Sequence, residues 1–137
     1  MPSSTKLTKK GNSFLKPILK WAGGKRQLLP DILPFIPNDA SLYIEPFLGG
    51  GAVLLAAQPS KAIVNDKNSE LINVYHVVRV RLDELISLLE KHSKKNSKDY
   101  FYKIRALDRN NDFPSLGNIT KAARNIYLNK TCFNVPQ

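Results

Sequence analysis

Three consecutive glycines, Gly49, Gly50 and Gly51, stand between two acids, Glu45 and Asp66, and these residues are the best placed in the chain to do chemistry. Glycines let the backbone approach a ligand that a Cβ would hold off. A carboxylate at the end of a following strand can accept hydrogen bonds from both hydroxyls of a ribose. The flanking residues predict the frame. The apolar run Leu42 to Ile44 predicts a strand over 42–45, and the residues after the glycines predict a helix over 51–57. Ala62 to Val64 predicts a second strand over 61–65 that ends on Asn65-Asp66. Strand, glycine turn, helix, strand and acid is the plan of a nucleotide-type pocket at the carboxyl edge of a parallel sheet.

The glycine spacing narrows the ligand. A dinucleotide fingerprint needs glycine or alanine where Gly49-x-Gly51 is followed by Leu54, so a nicotinamide site is disfavoured. Gly23-Gly24-Lys25 fails as a phosphate loop, with Leu19 where a glycine is required and Arg26 where Ser or Thr is required. S-adenosylmethionine, which carries a ribose and a charged amino acid but no phosphate, fits a Phe-x-Gly-x-Gly turn with a downstream acid. A tight strand-to-helix turn that binds nothing is the other reading of the same residues.

Leu19-Lys20-Trp21-Ala22-Gly23-Gly24-Lys25, followed by Glu45-Pro46-Phe47-Leu48-Gly49-Gly50-Gly51, closely resembles the Dam-type site-specific DNA adenine methyltransferases. The likeness continues through Asn65-Asp66-Lys67-Asn68-Ser69-Glu70-Leu71-Ile72. It returns at Ala122-Ala123-Arg124, Tyr127-Leu128-Asn129 and Phe133-Asn134, in the family's order. The resemblance implies an S-adenosylmethionine pocket lined by Trp21, Lys25, Glu45, Phe47, Gly49, Gly51 and Asp66. In that pocket Trp21 packs on the cofactor and Lys25 bonds its amino-acid end. It also implies a face for double-stranded DNA that includes Lys20, Arg124, Lys130, Phe133 and Asn134, with the Phe133 ring wedging between bases as adenine flips out. A core role for Trp21 and a helix-end role for Phe133 are the plainer alternatives.

The departure from the family lies in what is missing. No Pro-Pro occurs in the chain, so the family's catalytic Asp-Pro-Pro-Tyr has no counterpart, and the basic glycine-containing loop expected after Phe133-Asn134 is replaced by Val135-Pro136-Gln137. The resemblance therefore implies an amino-terminal half that is inactive alone and needs a carboxyl-terminal half to supply the catalytic motif. The alternative is a decayed or split enzyme that only binds cofactor or DNA.

Charge agrees with a polyanionic partner. Residues 1–30 hold seven Lys/Arg and no acids, residues 31–75 sum to −3, and residues 76–137 sum to +6, within a total of +10. A mildly acidic pocket segment thus lies between basic segments. The expected fold class is α/β, an incomplete Rossmann-like sheet of the S-adenosylmethionine-dependent methyltransferase type followed by a helical DNA-recognition segment. Residues 1–15 are expected as a flexible basic tail, 16–75 as the cofactor-binding half and 76–137 as an incomplete helical recognition region. The domain change is placed near residues 73–80.

Within that frame, Lys25 to Ile36 predicts a short helix limited by Pro30, Pro34 and Pro37. Asn68 or Ser69 caps a helix whose face carries Leu71, Ile72, Tyr75, Val78 and Leu82. Leu82 to His92 is amphipathic with Leu85, Leu88 and Leu89 inward, and Asp99 to Arg109 resumes helical spacing. Thr120 caps a last helix through Asn129, with Ala123, Ile126 and Tyr127 apolar. Tyr100, Phe101 and Tyr102 cannot share one helical face, so core packing is expected over base stacking. His76 and His92 lack partners at ligand spacing, so no metal is expected. Cys132, the lone cysteine, is expected as a packing residue, which is compatible with a reducing cytoplasm. No apolar run is long enough for a membrane span, and the polar, lysine-containing start is not a secretory signal.

Overall fold

The computed structural model describes residues 15–132. Among them, helix dominates around a two-stranded parallel sheet. Strand β1 (Tyr43–Glu45) pairs with β2 (Ala62–Val64) in the register Tyr43↔Ala62, Ile44↔Ile63 and Glu45↔Val64. Strand β1 begins one residue after the expected 42 and ends as expected at Glu45, while β2 is one residue shorter than expected at each end. Before β1, the proline-rich segment forms a 3-10 turn at Lys25–Leu28, then α1 (Leu29–Ile32), then a second 3-10 turn at Leu33–Phe35. Pro30 and Pro34 stand in the first turns of their elements, where a missing N–H costs nothing. Helix α2 (Ala52–Ala57) crosses from β1 to β2.

The remaining helices form a bundle. Asn68 caps α3 (Ser69–Val80), its side chain accepting from the N–H groups of Glu70 and Leu71, both at 3.1 Å. The inward face of α3 is Leu71, Val74 and Val77; of the expected face, Leu71 is buried, Tyr75 and Val78 pack partly buried against the core, and Ile72 is half-buried beside it in sequence only. Leu82 does not share that face: it opens α4 (Leu82–Lys94) and stands 48% exposed. Ser97 caps α5 (Lys98–Arg105), accepting from Tyr100 N.

Helix α6 (Asn118–Thr131) begins two residues before the expected cap at Thr120, with Gly117 at its N-cap. It is the hub on which α3, α4 and α5 pack. Ala122 and Ala123 are fully buried on α6 beside Leu71, Val74, Val77 and Leu85, and such small residues let the helix axes approach. Fully burying a side chain the size of Leu85 contributes roughly 1.5–3 kcal/mol. A second cluster, Phe101, Ile104 and Tyr127, joins α5 to α6. Phe101 is core and Tyr102 is exposed, as three consecutive helical aromatics require.

Candidate functional site

The site is built where β1 ends. Backbone bonds from Asn65 N to the Glu45 carbonyl and from Leu48 N to the Asn65 carbonyl, both 2.9 Å, carry the two chains side by side beyond the strands. The glycine turn then folds back over the end of β2. Gly49 and Gly51 have φ of 55° and 76°, the left-handed region that side chains resist. Gly51 also has no room: a Cβ there would stand 2.3 Å from the Tyr75 hydroxyl oxygen. That hydroxyl, reaching up from α3, donates to the Gly50 carbonyl. Burial, with the nearby Glu45 charge, pushes the Tyr75 hydroxyl up to about 12, so it stays a donor at neutral pH.

Asp66 latches the turn. Its Oδ2 accepts from Gly49 N and its Oδ1 from Asn68 N, each at 2.9 Å. The Asn68 and Gly49 amides hold its carboxyl below the usual carboxylate range, with Lys25 adding a smaller effect. A carboxylate has about four acceptor positions, so Asp66 retains capacity for a further donor beyond these backbone amides. The strand Glu45, only 7% exposed, is tied from both sides. Lys25 Nζ donates to its Oε1 at 3.2 Å and to the Phe47 carbonyl at 2.6 Å, while the Tyr43 hydroxyl donates to Oε2 at 2.7 Å. Burial and the bond to Glu45 push the Tyr43 hydroxyl up as well. An ammonium has three donors, so Lys25 retains one.

Trp21 completes the wall. A Cβ built on Gly49 would lie 3.3 Å from Trp21 Cδ1, and one on Gly50 would lie 3.2 Å from Trp21 Cβ. The glycines thus let the indole segment lie directly on the turn. Trp21, Lys25, Phe47, Gly49 and Asp66 line one cavity of about 200 Å³. Five of the seven residues expected at a cofactor therefore meet. Glu45 and Gly51 do not reach that space: Glu45 lies beneath it holding Lys25, and Gly51 stands behind it against Tyr75.

The residues expected at DNA divide differently. Lys20 and Lys130 are exposed, and the Lys20 backbone bonds to Asn129, the neighbour of Lys130. Arg124 is not available to a polyanion. It is 6% exposed, donating from Nε to the Ile104 carbonyl at 3.0 Å and from Nη2 to the Arg105 carbonyl at 2.7 Å. Asp108 lies 3.2 Å from the same guanidinium, and its plane lies over the Phe113 ring. Arg124 thus donates to two carbonyls at the end of α5, a structural role in place of the expected contact. Phe133 and Asn134 lie outside the described residues. Cys132 is exposed rather than packed, which corrects that expectation. Among the described residues no three His, Cys, Asp or Glu gather where they could hold a metal ion, and no helix is long and apolar enough to cross a membrane.

Tyr75 and Asn129 are the site-forming residues that sequence reasoning missed. Tyr75 was legible as part of a helical face but not as the lock on Gly51. Asn129 lies inside a recognised block that assigns it no role.

A sequence profile described as D12 class N6 adenine-specific DNA methyltransferase matches residues 21–137. The Type II methyltransferase M1.LlaDCHI of Lactococcus lactis subsp. cremoris is 41% identical over 128 residues, covering 93% of this chain and 45% of that protein. The Type II methyltransferase M.MjaIII of Methanocaldococcus jannaschii is 37% identical over 136 residues, with coverages of 88% and 47%. The DNA adenine methylase of Escherichia coli strain K12 is 34% identical over 128 residues, with coverages of 92% and 43%. The chain spans less than half the length of each of these relatives.

Proposed function

Because the chain belongs to the family of D12 class N6 adenine-specific DNA methyltransferases, we propose that residues 16–75 hold S-adenosylmethionine and that residues 76–137 contribute to the surface that meets duplex DNA. On this reading the β1–α2–β2 unit is the start of a Rossmann-like sheet and the whole enzyme acts in the cytoplasm. One observation carries the proposal: Trp21 and Lys25, Phe47 and Gly49, and Asp66, from three separate segments, converge on one cavity. The donor set suits the cofactor. Lys25 keeps an N–H for a carboxylate, the Asp66 oxygens keep lone pairs for hydroxyls, and Trp21 offers an apolar face. Ligand sites typically measure roughly 300–1,000 Å³, so a cavity of about 200 Å³ receives part of the cofactor.

S-adenosylmethionine supplies an electrophilic methyl group for the 6-amino nitrogen of adenine. The part played by this chain's residues is positioning: a fixed ammonium and a fixed carboxylate at opposite ends of a ligand remove rotational freedom before reaction. The group that accepts hydrogen bonds from the adenine amine is proposed to lie in an Asp-Pro-Pro-Tyr sequence outside these 137 residues, since they contain no Pro-Pro. One feature supports a partner polypeptide corresponding to the rest of the relatives' length. Ile44 and Ile63, paired in register, are 61% and 57% exposed, whereas parallel sheets ordinarily have both faces covered. Lys20 and Lys130 are both exposed, which leaves them available to the phosphates of a duplex.

The test is incorporation of labelled methyl from S-adenosylmethionine into adenine-containing duplex. The 137-residue chain alone is expected to stay at background, and activity is expected on adding a polypeptide that carries the remaining half. Turnover by the chain alone would put the reacting group within it and overturn this division of roles.

A further inference from the structure

Lys20 and Asn129 are 109 residues apart, yet they are joined by two hydrogen bonds. Lys20 N donates to Asn129 Oδ1 at 2.8 Å, and Asn129 Nδ2 donates to the Lys20 carbonyl at 2.9 Å. A carboxamide that pairs with both backbone groups of one residue acts like a strand neighbour, fixing translation and rotation of that peptide together. The next residue along is Trp21, the wall of the cavity, whose carbonyl accepts from Gly24 N at 3.2 Å. On the other side, Leu19 is buried in the core against α3 and α6. Leu19 and the partly buried Ile18 set how deep the segment lies, but apolar contacts have no direction and do not by themselves fix how the Lys20 peptide is turned. Asn129 is the contact that fixes it.

We propose that Asn129 is a positioning residue of the cofactor pocket: it clamps the Lys20 backbone to α6 and so sets where Trp21 stands over Gly49 and Gly50. This rests on the reading of the cavity as the S-adenosylmethionine site. It also gives α6, the hub of the helical region, a direct mechanical link to the pocket wall. The same clamp holds the backbone of the exposed Lys20, so one carboxamide bears on both the indole and a basic side chain.

Trp21 is the sole tryptophan in the chain, so its fluorescence reports the clamp without any ligand. Asn129→Ala removes both bonds. Asn129→Asp keeps the acceptor but turns the donor into an oxygen facing the Lys20 carbonyl, and it preserves side-chain volume if the alanine variant folds poorly. Both variants are expected to keep the far-UV circular dichroism of the parent while Trp21 emission shifts to the red and becomes more accessible to acrylamide. Affinity for S-adenosylmethionine is expected to fall about ten-fold, from loss of two hydrogen bonds. Folded variants whose Trp21 emission and quenching match the parent would overturn the proposal. A parent that fails to bind S-adenosylmethionine would instead remove the functional reading, and the ligand-free Trp21 signal would still decide the role of Asn129.

Discussion

Gly51→Ala is the substitution whose cost can be worked most directly from the structure. At φ of 76° an L-residue adopts the left-handed conformation, at a cost of roughly 1–2 kcal/mol. The new Cβ would lie 2.3 Å from the Tyr75 hydroxyl oxygen and 3.0 Å from its Cζ. Overpacking of that kind costs roughly 1–3 kcal/mol. If Tyr75 swings away to relieve it, the Gly50 carbonyl loses its donor, which costs a similar amount. Clash and lost bond are alternatives, so the total is about 2–5 kcal/mol rather than the sum of all three. Against a typical stability of roughly 5–15 kcal/mol, that is a large loss. Tyr75→Phe removes the nearest atom, so Gly51→Ala is expected to cost less in that background by about 0.5–3 kcal/mol. Urea unfolding of the four proteins, followed by circular dichroism, measures both numbers. A cost below about 1 kcal/mol for Gly51→Ala, or strict additivity with Tyr75→Phe, would refute the packing of Tyr75 against the turn.

Two further outcomes follow from the helical region. Arg124→Met strips donors from the Ile104 and Arg105 carbonyls and is expected to cost about 2–4 kcal/mol in thermal or urea unfolding. Arg124→Lys should restore little of this, because one ammonium cannot replace a planar fork that spans two carbonyls and stacks on Phe113. His92 stacks on Tyr127 and its Nδ1 pairs with the Tyr100 hydroxyl at 2.8 Å, and burial, with a smaller effect from Lys95, lowers its pKa. The folded state therefore binds a proton less readily than the unfolded one. The stability contributed by neutral His92 is present above about pH 6.5 and is lost as pH falls through the depressed folded value. The melting temperature should accordingly drop below pH 6.5, and His92→Phe should flatten that part of the profile.

Much of the pocket was legible because its signals are local. Glycines between an apolar strand and an apolar helix announce the turn, and Asn68 announces its cap from three residues away. The functions that sequence left hidden depend on distance. Nothing near Asn129 reveals a bond to Lys20, and nothing near Gly51 names Tyr75 as the side chain that forbids a Cβ. Arg124 misled because a basic residue in a basic segment reads as surface. Its burial is dictated by the carbonyls that end α5, and those are backbone groups with no mark in the sequence. Leu82 misled for a related reason, since the non-helical backbone of Arg81 (φ −139°, ψ 39°) ends the helix to which its spacing would otherwise belong. The breadth of the sheet was not legible either: two strands carry the pattern of a nucleotide-type unit, and what covers Ile44 and Ile63 is not written in them.

Trp21, Lys25 and Asp66 are proposed to hold S-adenosylmethionine. Isothermal calorimetry of S-adenosylmethionine against the 137-residue chain and its Asp66→Ala variant tests this directly, with circular dichroism confirming that both are folded. The account predicts saturable one-to-one binding by the parent, weakened at least about ten-fold in the variant by loss of charge-assisted hydrogen bonds. Absence of binding to the parent at millimolar ligand, or equal affinity in the two proteins, would contradict it.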